Sequence, residues 1–327
     1  MKIVVLNLLF IEGKTMRKNR KINVDKIIVT LLYVLAIEVG ALVTVIGFDA
    51  IISEYMESPT LTKKMTTIPK EILVSKSNLS SDFLKNKIQT FENSLIKISP
   101  ASSNDVVEIN TQSVQPIVYT KSIKLASLSI NLKKKRFIDM MIPSILIAKY
   151  RIENDRKRVK ELLSHKKLSA KDSLWLKKKK YIFKASSYYD LYEKMEVHPT
   201  SIVIAQAIIE SGWGTSRFFE EANNVFGIWS FNKNEERMVA SQKRGDKSIF
   251  VKKYPSVEQS IFDYFLVLST KDAYKEFREK RLESQDPFTL IEHLGKYSEL
   301  GQEYIDNLKN TIEKNRLLVY DSYHLDI

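Results

Sequence analysis

The sequence predicts a mostly helical chain of the α+β class, and three stretches carry that expectation. Ile202 to Ile209 is apolar almost without interruption and soon meets a glycine pair, the pattern of a buried helix that is stopped. Val257, Ile261, Phe265 and Leu268 fall on one helical stripe behind Ser256 and Gln259, whose spacing is that of a capping box. Ile305, Leu308, Ile312 and Leu317 mark a closing helix. Strand-like runs are short, Ile117-Val118-Tyr119 among them.

From the amino terminus, Met1 to Ile11 is too short to span a bilayer, and a translation start at Met16 is the simple explanation of residues 1–15. Ile27 to Phe48 is an apolar run of 22 residues whose one charge is Glu38. Lys14, Arg17, Lys18, Arg20, Lys21 and Lys26 stand upstream of it. The positive-inside rule then keeps residues 1–26 in the cytoplasm and places the rest of the chain outside. Phe48-Asp49-Ala50 is a poor cleavage site, so a retained single-pass anchor through the cytoplasmic membrane is favoured over a cleaved signal. Residues 49–132 are rich in Ser, Thr, Lys and Asn and are expected to be a tether, largely flexible. Residues 133–327 are expected to form the folded domain.

Composition narrows the chemistry. The chain has no cysteine, which removes disulfides, thiolate catalysis and cysteine-based metal sites. His165, His198, His293 and His324 lie far apart, so no metal site is expected, and no dinucleotide fingerprint suggests a cofactor. The net charge is +13, with basic runs at Lys133-Lys134-Lys135-Arg136 and Lys177-Lys178-Lys179-Lys180. No nucleic-acid motif accompanies them, so no nucleic-acid partner is expected. Attraction to anionic cell wall or lipid head groups is the functional account, and solvated helix faces the plainer one. Oligomeric state is not legible.

The chemically informative stretch is Ala205-Gln206-Ala207-Ile208-Ile209-Glu210-Ser211-Gly212-Trp213-Gly214. Thr200 and Ser201 suit a helix start after Pro199. Gly212 and Gly214 suit left-handed geometry at its end, which puts Glu210 in the last turn. The helix dipole is negative there and disfavours an ionised carboxylate. Shielding by Trp213 or Phe226 would raise its pKa further. A Glu held protonated near neutral pH is a general acid for a glycosidic oxygen. A surface acid near a helix end is the plainer reading of one Glu. The Gly-Trp-Gly wall and the aromatic turn Asn223-Asn224-Val225-Phe226-Gly227-Ile228-Trp229 weigh against it.

These segments resemble the glucosaminidase family of peptidoglycan hydrolases, in particular its Bax-like branch. Phe137 to Pro143 with the run to Arg156 looks like the entry helix of that branch. Val197-His198-Pro199, Tyr254 to Tyr264, Asp272 to Arg281 and Leu294 to Tyr304 are similar in turn and in order, so the resemblance covers roughly residues 133 to 318. It implies a lysozyme-like domain with a small β-rich lobe and no cofactor. It also implies cleavage of the β-1,4 bond between N-acetylglucosamine and N-acetylmuramic acid in peptidoglycan glycan strands, at the cell wall or in the periplasm. Glu210 matches the family's essential acid, and Tyr297 the tyrosine before the final helix.

Trp213, Asn224, Phe226 and Trp229 are candidate substrate contacts, although Asn223 and Asn224 also suit the turn and the aromatics also suit a core. In the lobe region Asn232 to Lys253, none of Glu235, Glu236 and Asp246 falls on a motif position, and these acids are expected to be mostly solvated. A second catalytic acid is therefore open. A lytic transglycosylase and a non-catalytic wall-binding protein are the rival readings.

Overall fold

The longest helix among the described residues is α1 (Ile130–Ser164), 35 residues long and buried without a break from Phe137 to Ala148. The computed structural model describes residues 89–327 apart from Lys166, Gly245 and Asp246, with residues 241–244 and 247 described by their backbone alone. The basic amino terminus, the expected span Ile27 to Phe48, residues 49–88 of the expected tether and Asp246 lie outside the described residues. Among the described residues, no helix is long and apolar enough to cross a membrane.

Helix α2 (Ala170–Ile182) folds back along the far half of α1. Arg158 reaches Asp172 at 2.8 Å and lies 4.0 Å from the Trp175 ring centre. The lysine run is divided by this packing. Lys179 pairs with Asp155, Lys180 lies over the Tyr188 ring, and Lys177 and Lys178 are exposed. The run at Lys133 to Arg136 is likewise engaged internally: Lys134 holds Asn315, while Lys135 and Arg136 pair with Glu108 and Asp139. Part of each basic run thus serves the fold rather than an outside partner.

After α3 (Tyr188–Lys194) comes α4 (Thr200–Ser211), buried from Thr200 to Ile208. Its N-terminal cap is not the Thr-Ser pair that the sequence suggested. Asp321, from the 3-10 turn Leu317–Ser322, accepts from the Ser201 backbone N–H and the Ser201 hydroxyl, both at 2.7 Å. A carboxylate at a helix N-terminus satisfies a free donor and opposes the positive dipole end. Helix α5 (Arg217–Ala222) follows, then α6 (Val257–Thr270), α7 (Lys275–Glu283), α8 (Pro287–Ile291) and α9 (Gln302–Lys314). At the start of α6, Ser256 accepts from Gln259 N–H, but the Gln259 side chain goes to Glu258, so only half of the expected capping box forms.

The β structure is small. β1 (Ile96–Ile98) pairs in parallel with β3 (Ile117–Tyr119), and β2 (Ser113–Val114) pairs in parallel with β6 (His324–Leu325). β4 (Arg237–Arg244) and β5 (Lys247–Lys252) form an antiparallel hairpin with a register shift between Val239 and Lys243. The mostly helical expectation and the small β lobe are both met.

The described part of the expected tether is not flexible chain. Phe91, Val106, Val114, Ile117, Val118, Tyr119, Ile123 and Leu125 are all buried in the same core as α1 and α4. Their polar neighbours had masked them in the composition. The folded unit therefore begins well before residue 133. A fragment of residues 131–327 loses these eight side chains, each contributing roughly 1.5–3 kcal/mol by burial when apolar. It is expected to be unfolded or aggregated by circular dichroism and gel filtration, whereas 89–327 gives a cooperative melt.

Candidate active site

Glu210 sits in the last full turn of α4, half-buried, where the chain turns out of the helix through three left-handed residues: Gly212 (φ 58°), Trp213 (φ 61°) and Gly214 (φ 71°). The sequence foresaw the glycines and not Trp213, whose conformation is uncommon for a bulky residue. Packing holds it there. Phe137 meets its ring edge-on at 5.8 Å, and the Lys134 ammonium lies 4.6 Å from its centre. Ser211 fixes the turn by donating to the Ala207 carbonyl and accepting from Gly214 N–H at 2.9 Å.

The carboxyl group faces aromatic side chains from the carboxyl-terminal third of the chain. The Tyr304 hydroxyl on α9 donates to Glu210 Oε1 at 3.1 Å. Tyr297, in the 3-10 turn Gly295–Tyr297, stacks on Tyr304 with ring centres 5.6 Å apart and planes 8° from parallel. Tyr274 lies 5.9 Å from Tyr297. Burial raises the Glu210 pKa, and the hydrogen bond from Tyr304 lowers it by a smaller amount. Among the described residues no second carboxylate acts on Glu210, and this differs from a close carboxylate pair. Burial, with Glu210 nearby, also pushes the phenols of Tyr297 and Tyr304 up. Both stay protonated at neutral pH, so they donate hydrogen bonds and cannot serve as bases. The Tyr297 hydroxyl has no protein hydrogen-bond partner among the described residues, which leaves it available to a water or a sugar.

The other candidates separate. Asn224 is fully buried and fully used: its amide donates to the Ile228 and Lys252 carbonyls and accepts from Ile228 N–H. It builds the turn and has nothing left for a substrate. Phe226 is 6% exposed and stacks on Tyr264 at 4.2 Å, so it is a core wall rather than a sugar platform. Trp213 is half-buried under Lys134. Trp229 remains, 43% exposed at the base of the hairpin, with Phe231 at 82% and their rings 6.1 Å apart. An exposed aromatic pair offers a flat apolar face.

Of the two described lobe acids, one differs from expectation. Glu235 is half-buried, accepting from the Ser230 hydroxyl at 2.8 Å and lying 3.9 Å from Lys252. Glu236 is exposed. Lys252 in turn holds Asp263 on α6 at 2.8 Å, and Tyr254 donates to the same carboxylate at 2.6 Å. Glu235 is thus anchored at the root of the hairpin instead of solvated.

Sequence reading missed Tyr304 and Gln206 as parts of the site. A signal existed for Gln206, the one polar residue in the apolar run and four positions before Glu210, hence on the same helix face. Tyr304 ended the Leu294 to Tyr304 segment of the resemblance without a role at the acid, which it reaches by the packing of α9 against α4.

Residues 185–317 match the family model described as mannosyl-glycoprotein endo-beta-N-acetylglucosaminidase. The match leaves out the entry helix included in the resemblance above. Protein bax of Escherichia coli (strain K12) is 30% identical over 135 residues, 39% of this chain and 47% of that protein. The exo-glucosaminidase LytG of Bacillus subtilis (strain 168) is 31% identical over 140 residues, 40% of this chain and 49% of that protein. The chain spans about half the length of the curated relatives it matches. Among solved structures, the catalytic domain of the autolysin Auto from Listeria monocytogenes is 22% identical, covers 51% of this chain and 97% of its own, with a TM-score of 0.32. A peptidoglycan hydrolase from Sphingomonas sp. A1 is 21% identical, covers 43% and 92%, with a TM-score of 0.32. Residues 185–317, which hold Glu210, Tyr297 and Tyr304, are a glucosaminidase-family domain.

Proposed function

We propose that this chain is a peptidoglycan hydrolase that cleaves the β-1,4 bond between N-acetylglucosamine and N-acetylmuramic acid, with Glu210 as general acid. The observation that carries the reading is a single half-buried carboxyl, raised in pKa by burial and held at one oxygen by a neutral tyrosine. Such a group keeps its proton to higher pH than a free Glu and delivers it to the leaving glycosidic oxygen as positive charge develops on the sugar. Activity is then expected to fall as pH rises through the Glu210 pKa. The neutral Tyr297 hydroxyl orients the attacking water or the substrate's acetamido group. The names of the family and of the relatives, one endo and one exo, support glucosaminidase chemistry and leave the mode of attack along the strand to experiment.

Mass spectrometry of sacculi digested by the full-length chain tests the reading. Fragments with a reducing N-acetylglucosamine end are the expected result. Anhydro ends would mean a lytic transglycosylase, and binding without release a wall-binding protein.

Trp229 is read as a platform for a sugar ring. Trp229→Ala is expected to raise KM about tenfold with kcat kept, because stacking is a uniform binding contribution. A fall in kcat at constant KM would contradict this.

The apolar stretch Ile27 to Phe48 and its basic flank support a retained anchor that holds the domain outside the cytoplasm. A reporter fused after residue 60 is expected to be active only outside, and the chain to resist a salt wash of membranes.

A further inference from the structure

A line of buried polar side chains leads away from Glu210 into the core. His198, Tyr264 and Gln206 are fully buried and Tyr304 is 2% exposed. His198 Nε2 lies 2.9 Å from the Tyr264 hydroxyl, and that hydroxyl lies 2.5 Å from Gln206 Oε1. Gln206 Nε2 lies 3.0 Å from the Tyr304 hydroxyl, which lies 3.1 Å from Glu210 Oε1. Each phenol has one hydrogen, so fixing the direction of one bond fixes the next.

Two directions are possible, and they differ in where the acid's proton sits. If His198 carries its hydrogen on Nε2, every link donates toward the acid. Tyr264 receives from His198 and donates to Gln206, whose amide donates to Tyr304, and Tyr304 donates to Glu210 Oε1. The carboxylic proton is then left on Oε2. If His198 carries its hydrogen on Nδ1, every link reverses, and the Gln206 amide turns over so that its nitrogen faces Tyr264 and its oxygen faces Tyr304. Glu210 then turns its proton inward to Tyr304, where no leaving group can take it.

The core selects between them. His198 Nδ1 is buried and has no hydrogen-bond partner among the described residues, and the ring is packed by Phe265 at 4.9 Å and Phe277 at 5.2 Å. A bare lone pair there costs less than an orphaned N–H. Burial, with Arg281 and Lys149 nearby, keeps the imidazole neutral, so it does not donate from both nitrogens. The groups about Glu210 itself are phenols, Tyr304 in contact with it and Tyr297, Tyr274 and Tyr264 around them.

We propose that His198 is a positioning residue for Glu210: its Nε2–H sets the sense of the hydrogen bonds through Tyr264, Gln206 and Tyr304, and so leaves the acid's proton on the oxygen Tyr304 does not hold. The proposal rests on Glu210 acting as general acid. It adds a residue twelve positions upstream that touches neither substrate nor acid.

The test uses the full-length chain. His198→Leu removes the terminal donor, while His198→Gln offers an amide N–H near the Nε2 position. His198→Leu is expected to lower kcat about tenfold, the worth of one hydrogen bond to the acid, with KM kept. It is also expected to move the basic limb of the kcat/KM profile to higher pH, because the carboxylate loses its donor. His198→Gln restores the limb and most of the rate. Tyr304→Phe moves the limb in the same direction, and adding His198→Leu to it changes little more. A merely structural role would lower the rate at every pH and leave the limb in place, which would overturn the proposal. The 15N shifts of the His198 ring, read on the unsubstituted protein, need no variant to fold. A protonated Nε2 is expected, and a protonated Nδ1 would overturn the proposal whatever the kinetics. Continued hydrolysis by Glu210→Gln would instead remove the general-acid reading, while the ring shifts still decide the direction of the chain.

Discussion

Glu210→Gln is expected to lose at least about 10²-fold in hydrolysis of sacculi while keeping its fold and its binding to them. The amide has nearly the shape of the carboxyl, and its oxygen accepts from Tyr304 as Oε1 does. What it lacks is the proton. A second effect follows from the direction of the pKa shift. A carboxyl whose folded pKa is raised contributes most to stability below its unfolded pKa, and that contribution is lost as pH rises through the folded value. Burial raises Glu210, so ionising the group weighs against the folded state. The glutamine variant should therefore melt no lower than the parent at pH 7, and the difference should shrink as the buffer is acidified below pH 5. Rates on one sacculus preparation and melting curves at both pH values check the two effects together. Near-normal hydrolysis would end the general-acid assignment.

Gly214→Ala is the substitution expected to harm the fold most for the least chemical change. A Cβ at this position would stand 2.7 Å from Leu125 Cδ1 and 2.9 Å from both Phe137 Cδ2 and Phe219 Cε1, all in the packed interior. The residue's φ is +71°, which adds the left-handed penalty of roughly 1–2 kcal/mol. With overpacking of roughly 1–3 kcal/mol, the loss should be about 3 kcal/mol, or about 10 °C in Tm for a unit of this size. Gly212→Ala is the control. It shares the left-handed backbone, but its Cβ would meet only the Thr215 hydroxyl at 3.1 Å, so the strain term alone should remain. Equal melting points for the two variants would show that the close approach of Leu125 and its neighbours does not matter.

Leu125 also explains what the sequence concealed. The helix carrying Glu210, its glycine stop and the closing helix could be read directly, because burial on a helix leaves a period of 3.6 in the residues. The buried face of residues 91–125 leaves no such period. Its strands are two or three residues long and pair in parallel with distant partners, so no hairpin turn announces them. At the site, the acid and Tyr297 were legible and most of the other surroundings were not. Trp213 or Phe226, both soon after the acid in sequence, was the expected shield. The structure brings in Tyr304 with Tyr297 and Tyr274 around it, from helices and turns placed only by tertiary packing. Asn224 shows the converse: a polar residue of the neighbouring motif whose amide is occupied by its own turn and by β5.

The cap on α4 has a consequence for how the molecule assembles. Ser201 receives its carboxylate from Asp321, and β6 at residues 324–325 closes on β2 at 113–114. Both contacts join points far apart along the polypeptide, and such pairings form late because loop closure must come first. A chain still being synthesised, or one clipped before residue 321, lacks the end that pins the acid-bearing helix and the strand that ties down residues 113–114. The order of the acid-bearing helix should accordingly depend on residues 321–325, and a product clipped before residue 321 should lose α4 and residues 113–114 together.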